Sequence, residues 1–159
     1  MNDLCSIDSA AYLVKYDSVH GTWGKDVVTK DDHFLVDGKK VTFSQEKDFK
    51  KIDFKSMEVD MVLECTGQFN NMEKLNEYLT ECKVKRVVVS APVKEPSCLN
   101  VVLGCNHQKI GNGEKKIITN ASCTTNCLAP VVKVIQEKFG IKHGCLTTVH
   151  DVTGTQVRF

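Results

Sequence analysis

The chain has 159 residues, 42% hydrophobic and 26% charged, ordinary globular proportions that exclude a disordered tail, a collagen-like fibre and a coiled coil. Its 21 Lys+Arg offset 20 Asp+Glu to a formal charge of +1, so electrostatics supply no case for a nucleic-acid partner or an anionic membrane surface. Length favours a single soluble domain. No apolar run reaches the roughly 18 residues of a membrane-spanning helix, and MNDLCSIDSA lacks the basic and apolar regions of a secretory signal, so a cytoplasmic location is expected.

In chain order, the first element is a helix over AAYLVKY (10–16), capped by Asp8 or Ser9 and ending before Gly21 and Gly24. Two short β runs follow, HFLV (33–36) and KKVTF (39–43). Asp37-Gly38 between them is the strongest two-residue hairpin signal. After a polar connection, VDMVLEC (59–65), MEKLNEYLTEC (72–82) and VKRVVVSAP (84–92) read as strand, helix and strand. The strands are continuously apolar, and Leu75, Leu79 and Cys82 share one helical face, which predicts a parallel sheet covered on both sides. NVVLG (100–104) and KIITNAS (116–122) extend that sheet, joined by HQKIGNGEK. Such sheets bind ligands beyond the carboxyl ends of their strands, so Thr66-Gly67, Ser90-Ala91-Pro92 and Ala121-Ser122-Cys123 are expected to lie together.

TTNCLAPVVKVIQEKFG (124–140) puts Leu128, Val131, Val132, Ile135 and Phe139 on one face, with Gly140 as terminator and Pro130 as a local weakness. The helix rises roughly 24 Å at 1.5 Å per residue. A strand over CLTTVH (145–150) returns roughly 20 Å at 3.3 Å per residue. If it runs antiparallel to the helix, His150 comes level with Cys123. A thiol at a helix amino end beside an imidazole is favoured as thiolate and becomes a nucleophile. The residues alone leave a second reading open, in which Cys123 is a small buried hydrophobe and His150 a strand cap. The eight cysteines (5, 65, 82, 98, 105, 123, 127, 145) show no Cys-x-x-Cys pair, as expected for reduced thiols. No second ligand pair accompanies Cys123 and Cys127, so no metal site is expected.

The run AsnAlaSerCysThrThrAsnCysLeuAlaPro (120–130) resembles the active-site signature of the phosphorylating glyceraldehyde-3-phosphate dehydrogenases. The likeness continues through KYDSVHG (15–21), DGKKV (37–41), ECTG (64–67), SAP (90–92), TTVH (147–150) and Thr-x-Thr-Gln (153–156). It implies an incomplete doubly wound parallel sheet of Rossmann type over 1–122 and the start of an α+β catalytic domain over 123–159. It further implies NAD-dependent oxidation of glyceraldehyde 3-phosphate to 1,3-bisphosphoglycerate in glycolysis, with inorganic phosphate as second substrate and a cytoplasmic homotetramer as assembly. Cys123 matches the nucleophile that forms a thiohemiacetal and then a thioester, and His150 matches the base. The Cys123 N–H is placed to stabilise the oxyanion. Ser122 and Thr124 match the site of the attacking phosphate, and Thr153 and Thr155 the surroundings of the substrate phosphate. Asp3 matches the acid on the adenosine ribose, which favours NAD over NADP. Lys47 matches a position near the adenine, and Thr66 and Ser90 the cofactor groove.

Against that family, the chain starts at the ribose acid, without the first strand and Gly-x-Gly-x-x-Gly loop, and stops before the arginine that holds substrate phosphate. The expectation is a fragment of about half a subunit, inactive alone. Asp151-Val152, Val93-Lys94 and LeuAsnValVal (99–102) depart from the common pattern and resemble a branch associated with arsenate detoxification, which would use arsenate in the same chemistry. Two readings of other classes also stand: a Cys-His hydrolase, which would act without NAD, and a non-catalytic fragment that associates with intact subunits.

Overall fold

The computed structural model describes residues 1–111 and 113–150 and falls into two compact units, Met1–Glu58 and a second that begins at Val59.

In the first unit, α1 (Ile7–Lys15) starts one to two residues before the expected caps. Ser6 is the actual cap, its Oγ accepting from the Ser9 N–H at 3.2 Å. Asp8 in the first turn and Lys15 in the last then both suit the helix dipole, which explains why Asp8 reads as a start signal without capping. Tyr16–Asp17 (β1) and Gly21–Thr22 (β2) form a two-residue ladder that has no apolar alternation to announce it. Val27–Thr29 (β3), His33–Val36 (β4) and Lys39–Thr42 (β5) form an antiparallel sheet, against which α1 packs Ala10 and Ala11 near the buried Phe34. The expected hairpin is β4–β5. Asp37 at φ 48° and Gly38 at φ 76° supply the left-handed pair a two-residue turn requires. The Asp37 carboxylate does a second job, accepting from the Asp26 N–H at 2.9 Å and the Lys25 Nζ at 2.6 Å, so the turn is fastened to the strand before it.

The second unit is built on four parallel strands in the order β6-β7-β9-β8: Met61–Glu64 (β6), Arg86–Val89 (β7), Leu99–Asn100 (β8) and Ile117–Thr119 (β9). Helix α2 (Met72–Thr80), capped by Asn71, crosses from β6 to β7 and packs on the latter. Its buried residues are Leu75 and Tyr78, whereas Leu79 and Cys82 on the expected face are only half-buried. Tyr78 displaces them because its ring reaches Phe69 edge-on and its hydroxyl finds an internal acceptor, described below. Val87 and Val89 are fully buried. Leu63 on the edge strand β6 remains 67% exposed, so the double cover expected for every strand does not extend to β6 among the described residues. Of the expected NVVLG run (100–104) only Asn100 joins the ladder, with Leu99 before it; the chain then turns into a 3₁₀ segment at His107–Ile110.

Helix α3 (Cys123–Lys138) runs through Pro130 unbroken. Proline there leaves the carbonyl of the exposed Asn126 without its helical donor, a loss that water can offset. Gly140 at φ 75° ends the helix, its N–H returning to the Gln136 carbonyl at 3.1 Å. The expected apolar face is present in sequence yet not covered: no α3 residue is buried, and Val131, Ile135 and Phe139 are exposed. CLTTVH is not a strand, because no neighbouring strand among the described residues pairs with it. Thr153, Thr155 and the departure at Asp151-Val152 lie outside the described residues.

Leu75, with no exposed surface, fills the space between α2 and the sheet. Leu75→Ala is expected to lower unfolding free energy by about 3 kcal/mol, read from a urea titration; a change below about 1 kcal/mol would show that the space collapses.

Candidate active site

The three segments expected to converge do so at the carboxyl edge of the sheet. Glu64, Val89 and Thr119 stand in register across β6, β7 and β9, and the chain beyond each strand is stitched to its neighbour. The Ser90 N–H donates to the Glu64 carbonyl at 2.9 Å and the Asn120 N–H to the Val89 carbonyl at 3.0 Å. The Asn120 side chain, with its nitrogen toward β7, donates to the carbonyls of Val89 (3.1 Å) and Ser90 (3.2 Å).

Glu64 is a site residue that the sequence reading passed over. Only 3% exposed, it would be costly to bury as a lone carboxylate. Its Oε1 accepts from the Thr66 N–H at 2.8 Å and the Thr66 hydroxyl at 2.5 Å, and its Oε2 accepts from the Tyr78 hydroxyl at 2.6 Å. Burial and the Glu64 carboxylate together push Tyr78 ionisation well above the usual phenol range. The available signal was an acid closing an apolar strand, VLEC. Thr66 and Ser90, both expected in the cofactor groove, are exposed on this edge.

After β9 the chain makes one sharp turn. Ala121 adopts φ 58°, a conformation costing an L-residue roughly 1–2 kcal/mol, and Ser122 then caps α3 by accepting from the Thr125 N–H at 3.1 Å. The Ser122 hydroxyl also meets the Thr125 hydroxyl at 2.7 Å, so its first duty is to the helix. Asn126, a second residue missed earlier, donates to the carbonyls of Asn120 (2.6 Å) and Ser122 (2.9 Å) and closes the turn from the other side.

Cys123 is thereby exposed at the first helical position, and His150 reaches it: Sγ and Nε2 are 3.2 Å apart. The return geometry inferred from element lengths holds although the returning segment forms no ladder. Hydrogen bonding to His150, then to the Thr124 backbone and hydroxyl, holds the thiol below its usual range. Residues 146–150 run beside the first turns of α3 and, with Cys123, Thr124, Cys127, Leu128 and Val131, line an open groove of about 570 Å³. A carbonyl compound entering it would meet the sulfur, the imidazole and the Thr124 hydroxyl within an otherwise apolar wall. This arrangement supports thiolate attack with proton transfer to imidazole.

Asp3 and Lys47 belong to the first unit and are both exposed. Asn2 bridges to Ser44 and bonds both the N–H and carbonyl of Glu46, which puts the two expected cofactor residues on adjacent segments. Hydrogen bonding to the amide and then the thiol of Cys5 keeps the Asp3 carboxyl below the usual range. Asp3 does not cap α1.

A parallel α/β sheet of the Rossmann type leads directly into a helix that carries a thiol beside an imidazole, the architecture of a nucleotide-binding α/β fold. Residues 1–72 match the family model described as "Glyceraldehyde 3-phosphate dehydrogenase, NAD binding domain", and residues 122–159 match that for the C-terminal domain of the same enzyme. Similar proteins include the glyceraldehyde-3-phosphate dehydrogenases of Zymomonas mobilis and Mycoplasma pneumoniae, each 46% identical over 156 residues, covering 98% of this chain and 46% of the relative. The cytosolic enzyme of Chlamydomonas reinhardtii is 46% identical over 146 residues, covering 92% of this chain and 42% of the relative. The chain belongs to the glyceraldehyde-3-phosphate dehydrogenase family and spans about half the length of the curated relatives it matches.

Iodoacetamide at neutral pH is expected to label Cys123 before the other seven thiols, as mapped by peptide mass, with Cys98, which burial pushes up, among the slowest. Because the Cys123 value is depressed, its labelling rate should rise with pH through a midpoint below that of an ordinary thiol and be lost as pH falls through that midpoint. Preferential labelling of Cys127 or Cys145 would contradict the helix-start argument.

Proposed function

We propose that this chain carries the nucleophile, base and part of the cofactor surface of an NAD-dependent, phosphorylating glyceraldehyde-3-phosphate dehydrogenase. The observation that carries the reading is the 3.2 Å approach of Cys123 Sγ to His150 Nε2 at the amino end of α3. Residues 1–122 then belong to the NAD-binding domain, and 123–159 begin the catalytic domain.

The donor set suits the cofactor. An exposed acid at Asp3 matches a ribose diol and repels a 2′-phosphate, Lys47 lies on the adjacent segment, and Thr66 and Ser90 offer polar groups at the sheet edge. Bound NAD supplies a hydride acceptor. The Cys123 thiolate attacks the aldehyde carbon of glyceraldehyde 3-phosphate, forming a C–S bond and placing charge on oxygen near the helix amino end, where the Cys123 N–H is available to it. His150, holding the proton of the Cys123 thiol, returns it to that oxygen to complete the thiohemiacetal and accepts it again as the hydride departs, leaving a thioester on Cys123. Inorganic phosphate then attacks the acyl carbon beside Thr124, and the thiolate leaves. Among the competing readings, a hydrolase of Cys-His type would require an orienting carboxylate or amide on the imidazole and would turn over without NAD.

In the protein carrying this segment, NADH formation from glyceraldehyde 3-phosphate and phosphate is expected to vanish in Cys123→Ser. His150→Ala should lower kcat by about 10²–10⁴ with little change in KM, since the base acts on the transition state. An effect confined to KM would refute the base assignment, and turnover without NAD would favour the hydrolase.

A further inference from the structure

The left-handed turn at Ala121 aims the nucleophile, and a side-chain relay two strands deep holds it. Ala121 is 5% exposed, and its N–H donates to the Thr119 Oγ1 at 2.9 Å. Thr119, 1% exposed, donates its hydroxyl hydrogen bond to the Asn100 Oδ1 at 2.7 Å. Asn100 is Thr119's register partner in the β8–β9 ladder, and its Nδ2 donates to the Val93 carbonyl at 2.9 Å while Oδ1 also accepts from the Val93 N–H at 3.3 Å. Every direction in this chain of bonds is forced. An amide N–H can only donate, so the threonine oxygen accepts; the hydroxyl has one proton left to give, and the only acceptor atom of the asparagine amide receives it. Bonds aligned in this way polarise one another.

We propose that Asn100 and Thr119 are positioning residues, whose relay locks the Ala121 turn and so aims the first turn of α3 with Cys123 toward His150. Neither touches the sulfur. The inference rests on Cys123 being the reactive thiol. Asn120 and Asn126 fix the neighbouring carbonyls, but the Ala121 amide itself is held by the relay.

The test is the pH profile of Cys123 alkylation by iodoacetamide in the full chain, mapped by peptide mass, with far-UV circular dichroism on each variant. Thr119→Val keeps the shape and removes the hydroxyl. The midpoint is expected to move upward and the rate at pH 7 to fall about threefold, because lost thiolate outweighs gained nucleophilicity. Thr119→Ser should restore the profile of the unsubstituted chain. Lower stability alone would not move the midpoint. Should Thr119→Val lose its helical signal, Asn100→Ala decides, since that position is half-buried and the Ala121–Thr119 bond survives; its midpoint is expected to rise as well. A depressed midpoint in the unsubstituted chain that neither substitution moves would overturn the relay and leave the nucleophile standing. An ordinary midpoint in the unsubstituted chain would remove the nucleophile, and the relay's purpose with it.

Discussion

Parallel register is the constraint from which the site descends. Because β6, β7 and β9 lie side by side and point the same way, their last residues, Glu64, Val89 and Thr119, are forced level. A parallel pair cannot be joined by a hairpin, so the segments leaving these strands must start at one edge and cross over the sheet. Thr66, Ser90 and Cys123 are distant in sequence and gathered only by this geometry. Shifting β9 by one residue would turn Thr119 to the other face and carry the Ala121 turn away from Asn100.

The edge is polar in a particular way: its side chains hold backbone and one another before they are available to any ligand. Glu64 grips Thr66 and Tyr78, Ser122 caps a helix, and Asn126 gathers two carbonyls. A loop exposed on one side and fastened from behind keeps its geometry without a ligand present, the condition for electrostatic preorganisation. The same rule explains Tyr78. A leucine at that position could fill volume, whereas the buried carboxylate of Glu64 needs a donor.

Much of this was legible in the sequence, for identifiable reasons. Continuous apolar runs at 61–63 and 87–89 admit few alternatives to buried parallel strands, and Asp37-Gly38 has little use except as a turn. The Cys123–His150 approach was expected from element lengths on the condition of an antiparallel return, and it is found although the returning segment is not a strand. Other features left no local trace. The ladders β1–β2 and β3 depend on partners and not on patterns, and the start of α1 was misread because Asp8 favours the dipole as strongly as a cap would. Pairing also decided CLTTVH, which has strand composition and no strand beside it among the described residues. Glu64, Asn100 and Thr119 were invisible as site residues because their roles consist of hydrogen bonds made only in the fold, Glu64 to its following loop and to α2, Asn100 and Thr119 to each other across two strands.

Helix α3 also works as a ruler. The chain from sulfur to imidazole is helical as far as Lys138, and residues 139–149 carry it back outside any helix or strand. Each residue added to a helix advances it by about 1.5 Å and turns it by about 100°. The tolerance of this segment to changes in length is therefore sharply uneven. An insertion within α3 would carry the return path round to another side of the helix, while one between Gly140 and Gly144 could be taken up where it falls. The number of residues between Cys123 and His150 is thus tolerant in the turn and fixed in the helix.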